Sequence, residues 1–198
     1  MASNRTSSTL AGALWSVDAQ TSRLEKAFRA TILALVGTFI LAVSAQLAVP
    51  MWPVPMTMQT FAVTLIGAAY GWRLGGATVA LYVAQGAMGL PVFSGGVAAA
   101  GLVGPTAGYI YGFVAAAALV GFMVEKGWDR SILKSTIAMT LGHVVLFIGG
   151  ISWLANIIGF EAALVSGLYP FITGGIVKIA LAVAVLPMAW KLVEKFRG

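Results

Sequence analysis

The chain has 198 residues, of which 60% are hydrophobic and only 9% are charged, and its mean hydropathy is +0.94. Soluble domains carry about 25% charged residues, so this composition excludes a water-soluble domain and indicates an integral membrane protein. The absence of cysteine excludes disulfides and thiol chemistry. The net charge of +6 could suggest a nucleic-acid partner, but the placement of the basic residues explains it differently, as shown below.

The first 26 residues are polar and predict a cytoplasmic tail, with a short amphipathic turn near residues 10–17. A secretory signal peptide is the weaker interpretation of this region. The first long apolar run begins only after Arg29 and has no persuasive small-residue cleavage site. Residues 27–198 are therefore predicted to form one membrane domain that follows a tail.

Six apolar runs follow the tail, and they predict an all-α integral membrane protein with six transmembrane helices. Most approach the ~20 residues that span a bilayer, although the second and third are short. Short spans that contain glycine are tolerated where non-helical backbone lines a cavity enclosed by protein. The six runs cover about residues 31–49, 56–71, 74–90, 107–124, 132–151 and 170–192.

The basic residues fall almost entirely on one side of this predicted topology. If the N-terminus is cytoplasmic, the outer loops near 50–56, 91–106 and 152–169 contain no basic residue. This pattern follows the positive-inside rule and places both termini in the cytoplasm. Topology and anionic lipid therefore account for the net charge, and no nucleic-acid partner is expected. Eleven of the twelve basic residues are on the inner side: Arg5, Arg23, Lys26, Arg29, Arg73, Lys126, Arg130, Lys134, Lys191, Lys195 and Arg197.

The remaining basic residue, Lys178, lies inside the sixth apolar run, and no acidic residue lies inside any of the six. An ionisable residue within a membrane span is costly and marks a functional site by default. The carboxylate of a substrate is the natural counter-ion for such a lysine. The alternative interpretation is that Lys178 extends to the membrane interface or is neutral.

Most enzymatic readings find no support in the sequence. There is no Walker A motif, no metal-ligand spacing and no nucleophile paired with a base. The single histidine, His143, is expected to be packed or hydrogen-bonded in a helix and not catalytic. We therefore expect no enzyme activity, no metal and no cofactor. A cavity with one cation and no energy source predicts a binding subunit driven by another protein, and a self-sufficient carrier or channel is the alternative.

Three ordered motifs resemble the BioY family, the biotin-specific S components of energy-coupling factor (ECF) transporters. They are VPMWPVPMTMQTF (49–61), GAAYGWRLGGATVALYVAQGAMGLPVFSGG (67–96) and GPTAGYIYGF (104–113), and the resemblance covers about residues 27–192. It implies high-affinity capture of biotin from the outer side of a prokaryotic cytoplasmic membrane. It also implies that a transmembrane T component and two ATPase subunits supply the energy for uptake.

The resemblance further implies a substrate site. Gln59 would bind the ureido ring of biotin through its amide, unless that amide serves only helix packing. The uncharged segment 89–109 would fold over the pocket as a lid, with its Phe covering the bicyclic ring. Its Gly pair would let backbone N–H groups approach the ligand, or would simply form a tight turn. The implied substrate-binding residues are Gln59, Phe93, Gly95, Gly96, Tyr109 and Lys178.

Two further features concern specificity and partners. The family carries a D-x-x-K motif on the last helix, and here the position of the Asp is taken by Gly175, so the pocket is less polar than the family pattern implies. Ala30 and Ala34 are four residues apart on the first predicted span, where small residues allow another helix to approach closely. In S components such a motif contacts the T component, whereas in other membrane proteins it serves ordinary helix packing.

Overall fold

The computed structural model describes residues 9–15 and 20–197, and this part of the chain is predominantly helical. Residues 16 and 17 of the predicted amphipathic turn lie outside the described residues. The helices are α1 (Leu10–Leu14), α2 (Arg23–Gln46), α3 (Gln59–Ala87), α4 (Ala107–Glu125), α5 (Ile132–Ile158), α6 (Phe160–Gly167) and α7 (Tyr169–Arg197).

Short non-α elements connect the helices at both ends of the bundle. Strand β1 (Ala48–Val49) pairs antiparallel with β2 (Met56–Thr57), so that the intervening proline-rich residues form a closed loop. The connection between α3 and α4 contains two 3₁₀ turns, Ser94–Gly96 and Ala99–Leu102. A third 3₁₀ turn, Trp128–Arg130, joins α4 to α5.

Four of the described helices are long and apolar enough to cross a membrane, which confirms the predicted all-α membrane class. The short second and third apolar runs of the sequence both lie within α3, on either side of a break in the helix at Gly71. The four helical segments are Arg23–Gln46, Ala107–Glu125, Ile132–Ile158 and Tyr169–Val193.

Helix α3 reverses direction at Gly71, which has φ of +82° and ψ of 176°. The amide of Gln59 donates a hydrogen bond to the hydroxyl of Tyr82 at 2.8 Å. In one straight helix, two residues 23 positions apart would be roughly 35 Å apart. The two halves of α3, residues 59–70 and 72–87, are therefore antiparallel, and backbone atoms near Gly67 approach Gly75 closely. Glycine is suited to Gly71 because its backbone angles are rarely adopted by other residues.

Helix α2 begins earlier than its apolar run predicts, because a capping box stabilises its start. The hydroxyl of Ser22 accepts a hydrogen bond from the backbone N–H of Glu25 at 3.1 Å, and the Glu25 carboxylate accepts one from the Ser22 N–H at 3.0 Å. Such a cap contributes about 1 kcal/mol to helix stability. The helix thus starts at Arg23, inside the region predicted to be a tail.

Part of the predicted tail also packs onto the bundle. Leu10 and Ala13 of α1 are buried in an apolar cluster with residues of α3, α4, α5 and α7. The guanidinium of Arg29 donates a hydrogen bond to the carbonyl of Ala11 at 2.6 Å. Residues on both sides of the predicted boundary between tail and membrane domain therefore pack together.

The segments rich in basic residues meet at one end of the bundle, which we call the basic end. The Gly71 turn contacts Glu125 and Thr9 there, and the Trp190 indole donates a hydrogen bond to Asp129 at 2.6 Å. The β1–β2 loop and the connection between α3 and α4 lie at the opposite end. The arrangement brings together the segments that the charge count assigns to a single side.

Candidate functional site

A partly open cavity of about 270 Å³ lies at the end of the bundle opposite the basic end. Its walls come from the β1–β2 loop, the start of α3, the connection between α3 and α4, and helices α4, α5 and α7. The lining is mostly apolar, with a small number of polar side chains. This is the composition expected of a pocket that buries a small molecule and orients it with a few polar contacts.

Three helices contribute side chains to the cavity at helical spacing. Residues three, four and seven positions apart lie on one face of a helix, so each of these helices presents a single face to the cavity. The contributing residues are Tyr109, Ile110 and Phe113 on α4, His143, Leu146 and Phe147 on α5, and Phe171, Gly175 and Lys178 on α7.

Lys178 lines the cavity and is only 7% exposed. It lies roughly 13 Å along α7 from the start of that helix, at 1.5 Å per residue. Its ammonium group donates a hydrogen bond to the backbone carbonyl of Thr57 at 2.6 Å, which directs it toward the β1–β2 loop and into the protein. Among the described residues that line the cavity, Lys178 is the only one with a charged side chain. An ammonium has three N–H donors, so two remain for a ligand.

Gln59 also lines the cavity, and its amide belongs to a directed chain of hydrogen bonds. The Thr57 hydroxyl donates to the Gln59 side-chain oxygen at 3.0 Å, and the Gln59 nitrogen donates to the Tyr82 hydroxyl at 2.8 Å. The Tyr82 hydroxyl in turn donates to the carbonyl of Val92 at 2.7 Å. The chain holds the amide in one orientation and leaves one N–H and one oxygen lone pair available. Tyr82 itself is fully buried behind Gln59 and does not line the cavity.

Phe93 projects from the connection between α3 and α4 into the cavity wall and is 2% exposed. Its ring meets the Tyr82 ring edge to face at a centroid distance of 5.3 Å. Any side chain at Gly86 would overlap the Phe93 ring. The Gln46 amide donates a hydrogen bond to the Phe93 carbonyl at 3.1 Å, so both ring and backbone are fixed. This segment therefore forms part of the cavity wall, and its role as a lid stays a prediction.

Gly95 and Gly96 lie in the same segment but are not brought to the cavity wall. Both are exposed and both have φ of +72°, and a Cβ on either would meet nothing within 4 Å. These values are those of a tight turn at the outer surface. Val97, the next residue, does line the cavity.

Tyr109 lines the cavity through its ring, while its hydroxyl serves the fold. The hydroxyl donates a hydrogen bond to the carbonyl of Gly167 at 2.7 Å, which ties α4 to the end of α6. The ring is stacked with Phe171 and meets Phe147 edge to face. The three rings form an aromatic wall of the cavity. Phe171 is seven residues before Lys178, and this helical spacing is the sequence signal that could have identified Phe171 as a lining residue.

His143 lines the cavity and is 4% exposed, which the sequence did not predict. Its Nδ1 lies 2.9 Å from the carbonyl oxygen of Met139, so the expected hydrogen bond within the helix is present. Gly175 is beside it, and a Cβ built on Gly175 would be 3.9 Å from His143 Cδ2. The missing side chain at Gly175 therefore leaves His143 as part of the wall.

Ala30 and Ala34 are half-buried and do not line the cavity. They fall on the same helical face as Gly37 and Leu41, which are buried in the bundle. Further along α2, the same face of the helix packs against the rest of this chain.

The fold and the site together define an all-α membrane protein with a mostly apolar cavity at one end of a helical bundle. The chain belongs to the BioY family, which matches residues 16–195. A relative from Pyrococcus horikoshii, named as a probable biotin transporter BioY, is 38% identical over 79% of this chain and 94% of its own length. The biotin transporter BioY of Thermotoga maritima is 35% identical over 84% of this chain and 98% of its own.

The fold is similar to a crystal structure of the S component for biotin from an ECF-type ABC transporter. The TM-score is 0.77 at 26% sequence identity, and the match covers 86% of this chain and 94% of the other. The agreement extends over nearly the whole length of both chains.

Proposed function

We propose that this protein captures biotin from the outer side of a prokaryotic cytoplasmic membrane, as the S component of an ECF-type transporter. The observation that carries the proposal is a buried apolar cavity with a lysine as its one charged lining residue, in a chain whose relatives are biotin transporters. Biotin combines an apolar thioether ring and aliphatic chain with a polar ureido group and one carboxylate. It therefore matches both the apolar lining and Lys178. A role in transport leaves no need for a catalytic group.

The chain crosses the membrane six times in this proposal, with both termini in the cytoplasm. The reversal of α3 at Gly71 supports this count, because its two halves supply the second and third crossings. The meeting of the basic segments at the end opposite the cavity supports the orientation. Large apolar side chains exposed on the outer faces of the helices, such as Phe39, Ile148 and Ile176, face lipid.

The predicted site residues at the cavity wall have distinct tasks in biotin binding. Lys178 pairs with the carboxylate, and the oriented amide of Gln59 offers one donor and one acceptor. Phe93 and the Tyr109 ring cover the apolar ring system. Gly95 and Gly96 act indirectly, because they form the turn that holds the lid segment against the helical bundle.

Uptake requires a T component and two ATPase subunits, because the sequence carries no nucleotide-binding motif of its own. The solved relative comes from an ECF-type ABC transporter, which supports this arrangement. The stripe of Ala30 and Ala34 is the surface proposed to meet the T component. The later part of this face packs against the chain's own helices. The part near the basic end, at Ala30 and Ala34, is therefore the part proposed to contact a partner.

The decisive experiment is purification of the full chain in detergent, followed by mass spectrometry of the small molecules that it retains. Recovery of biotin, and competition of bound labelled biotin by unlabelled biotin, is the expected result. Recovery of a different vitamin would contradict the biotin assignment. Liposomes with this chain alone, compared with liposomes that also contain the T component and both ATPases, separate an S component from a self-sufficient carrier.

A further inference from the structure

The imidazole of His143 has one nitrogen that the fold uses and one that it does not. Nδ1 hydrogen-bonds the Met139 carbonyl at 2.9 Å, and a carbonyl oxygen can only accept, so Nδ1 carries the proton. In the neutral ring Nε2 is then an acceptor. Nε2 is buried and has no hydrogen-bond partner among the described residues, although the ring lines the cavity. Buried polar atoms in proteins nearly always have a partner, so this exception needs an explanation.

Within the part of the chain that the structure describes, no protein donor is hydrogen-bonded to this atom. Gly175, which faces His143 from α7, has no side chain, and a Cβ built there would meet only His143 Cδ2, at 3.9 Å. The ammonium of Lys178, one turn further along α7, donates to the Thr57 carbonyl at 2.6 Å and is not hydrogen-bonded to Nε2. The opening beside Gly175 thus brings the cavity up to the imidazole.

We propose that His143 is a specificity-determining residue, whose Nε2 accepts a hydrogen bond from an N–H group of the ligand. This inference rests on the proposed function and deepens it. An ionised carboxylate offers only acceptors and would leave Nε2 unsatisfied, whereas an N–H donor satisfies it. The N–H donors of biotin belong to its ureido ring. The structure therefore assigns the ureido ring, and not the carboxylate, to the wall formed by His143 and Gly175.

The test compares three proteins in detergent by equilibrium binding of biotin. His143→Phe keeps a planar ring but removes the acceptor, and is expected to weaken biotin binding about tenfold, the effect of one lost buried hydrogen bond. His143→Gln restores an acceptor near the position of Nε2 and is expected to recover most of the affinity. Thr136→Val is the matched control. The Thr136 hydroxyl bonds the carbonyl of Ile132 four residues earlier at 2.8 Å, as His143 does with Met139, but Thr136 does not line the cavity.

Ligand analogues show whether the contact is direct. Biotin methylated at one or the other ureido nitrogen lacks one N–H donor, and one of the two analogues is expected to bind wild type more weakly than biotin does. Most of that penalty should disappear in His143→Phe, because the acceptor is already gone. An unchanged penalty in His143→Phe, or unchanged biotin affinity in that variant, would overturn the role of His143 alone. Failure of wild type to bind biotin would overturn the proposed function and this inference together.

Discussion

The Lys178 ammonium donates a hydrogen bond to the Thr57 carbonyl at 2.6 Å, joining residues 121 positions apart in the chain. The contact links the middle of α7 to strand β2 and so fastens the β1–β2 loop over the cavity. The hydroxyl of the same Thr57 donates to Gln59 at 3.0 Å. Thr57 thus connects the ammonium of Lys178, the only charged group among the described lining residues, to the oriented amide of Gln59.

Replacement of Lys178 tests the proposed carboxylate partner. Lys178→Met keeps the length and apolar stem of the side chain but removes its charge, and is expected to weaken biotin binding by about tenfold or more, since hydrogen bonds to charged groups contribute about 1.5–3 kcal/mol. The measurement is equilibrium binding in detergent, with the exposed Lys191→Met on the same helix as control. Biotin amide should bind wild type poorly and lose little more in Lys178→Met. Equal affinities of wild type and Lys178→Met would contradict the proposal.

Removal of the Tyr82 hydroxyl tests the hydrogen-bond chain behind Gln59. Tyr82→Phe leaves the Gln59 nitrogen and the Val92 carbonyl each without a partner, and unsatisfied buried groups cost about 1–3 kcal/mol. We expect a lower melting temperature and weaker biotin binding, because the amide loses its orientation. Tyr111→Phe is the control, since its exposed hydroxyl donates only to the Leu102 carbonyl at 2.8 Å. If both variants behave alike, the chain has no special role.

Two glycine-to-alanine substitutions should change stability in opposite directions. A Cβ on Gly67 would overlap backbone atoms of Ala117 on α4, whereas one on Gly175 would meet only His143 at an ordinary 3.9 Å. Gly67→Ala is expected to lower stability by about 1–3 kcal/mol through overpacking. Gly175→Ala is expected to raise it slightly, by up to about 1 kcal/mol, because alanine favours a helix interior. Thermal unfolding of the two ligand-free variants checks this, and loss of stability in both would show that α7 is packed more tightly than described.

Asp129, at the basic end, predicts a pH dependence of stability. Burial raises the pKa of the Asp129 carboxyl above its ordinary value, although the hydrogen bond from Trp190 and the charge of Arg130 act in the opposite direction. A carboxyl with a raised pKa contributes most stability below its unfolded pKa of about 3.9, and loses that contribution as pH rises through the folded pKa. Wild type should therefore lose stability relative to Asp129→Asn as pH rises from about 4 to 7. A melting-temperature difference that is constant over this range would contradict the expectation.

Much of the site could be predicted from the sequence, because charge and motif order are local signals. Lys178 is conspicuous as the one charge inside an apolar run, and the structure brings it into the cavity with Gln59, Phe93 and Tyr109. Gly95 and Gly96 were assigned to the ligand from the same motif, yet they form the turn outside the wall. A positive φ is a backbone property, and the sequence alone does not distinguish a glycine needed for a turn from one needed for close approach.

Other features depend on contacts between distant segments and were not predicted. The reversal of α3 shows in the sequence only as two short apolar runs, since a single residue, Gly71, makes the turn. The sequence predicted that His143 is a packed or hydrogen-bonded residue and did not predict that it lines the cavity. Its place in the wall depends on Gly175, which lies on another helix. The early start of α2 could have been recognised from Ser22 and Glu25, whose spacing is that of a capping box.

The one-residue reversal at Gly71 has a mechanical consequence. Only Gly71 separates the two halves of α3, and the carboxylate of Glu125 accepts a hydrogen bond from the Trp72 N–H at 3.1 Å just past the turn. The two helical halves thus form a hairpin that is held at the basic end and carries Gln59 and Tyr82 at its other end. We expect a displacement of the cavity wall at Gln59 to move this hairpin and so to reach a partner bound at the basic end.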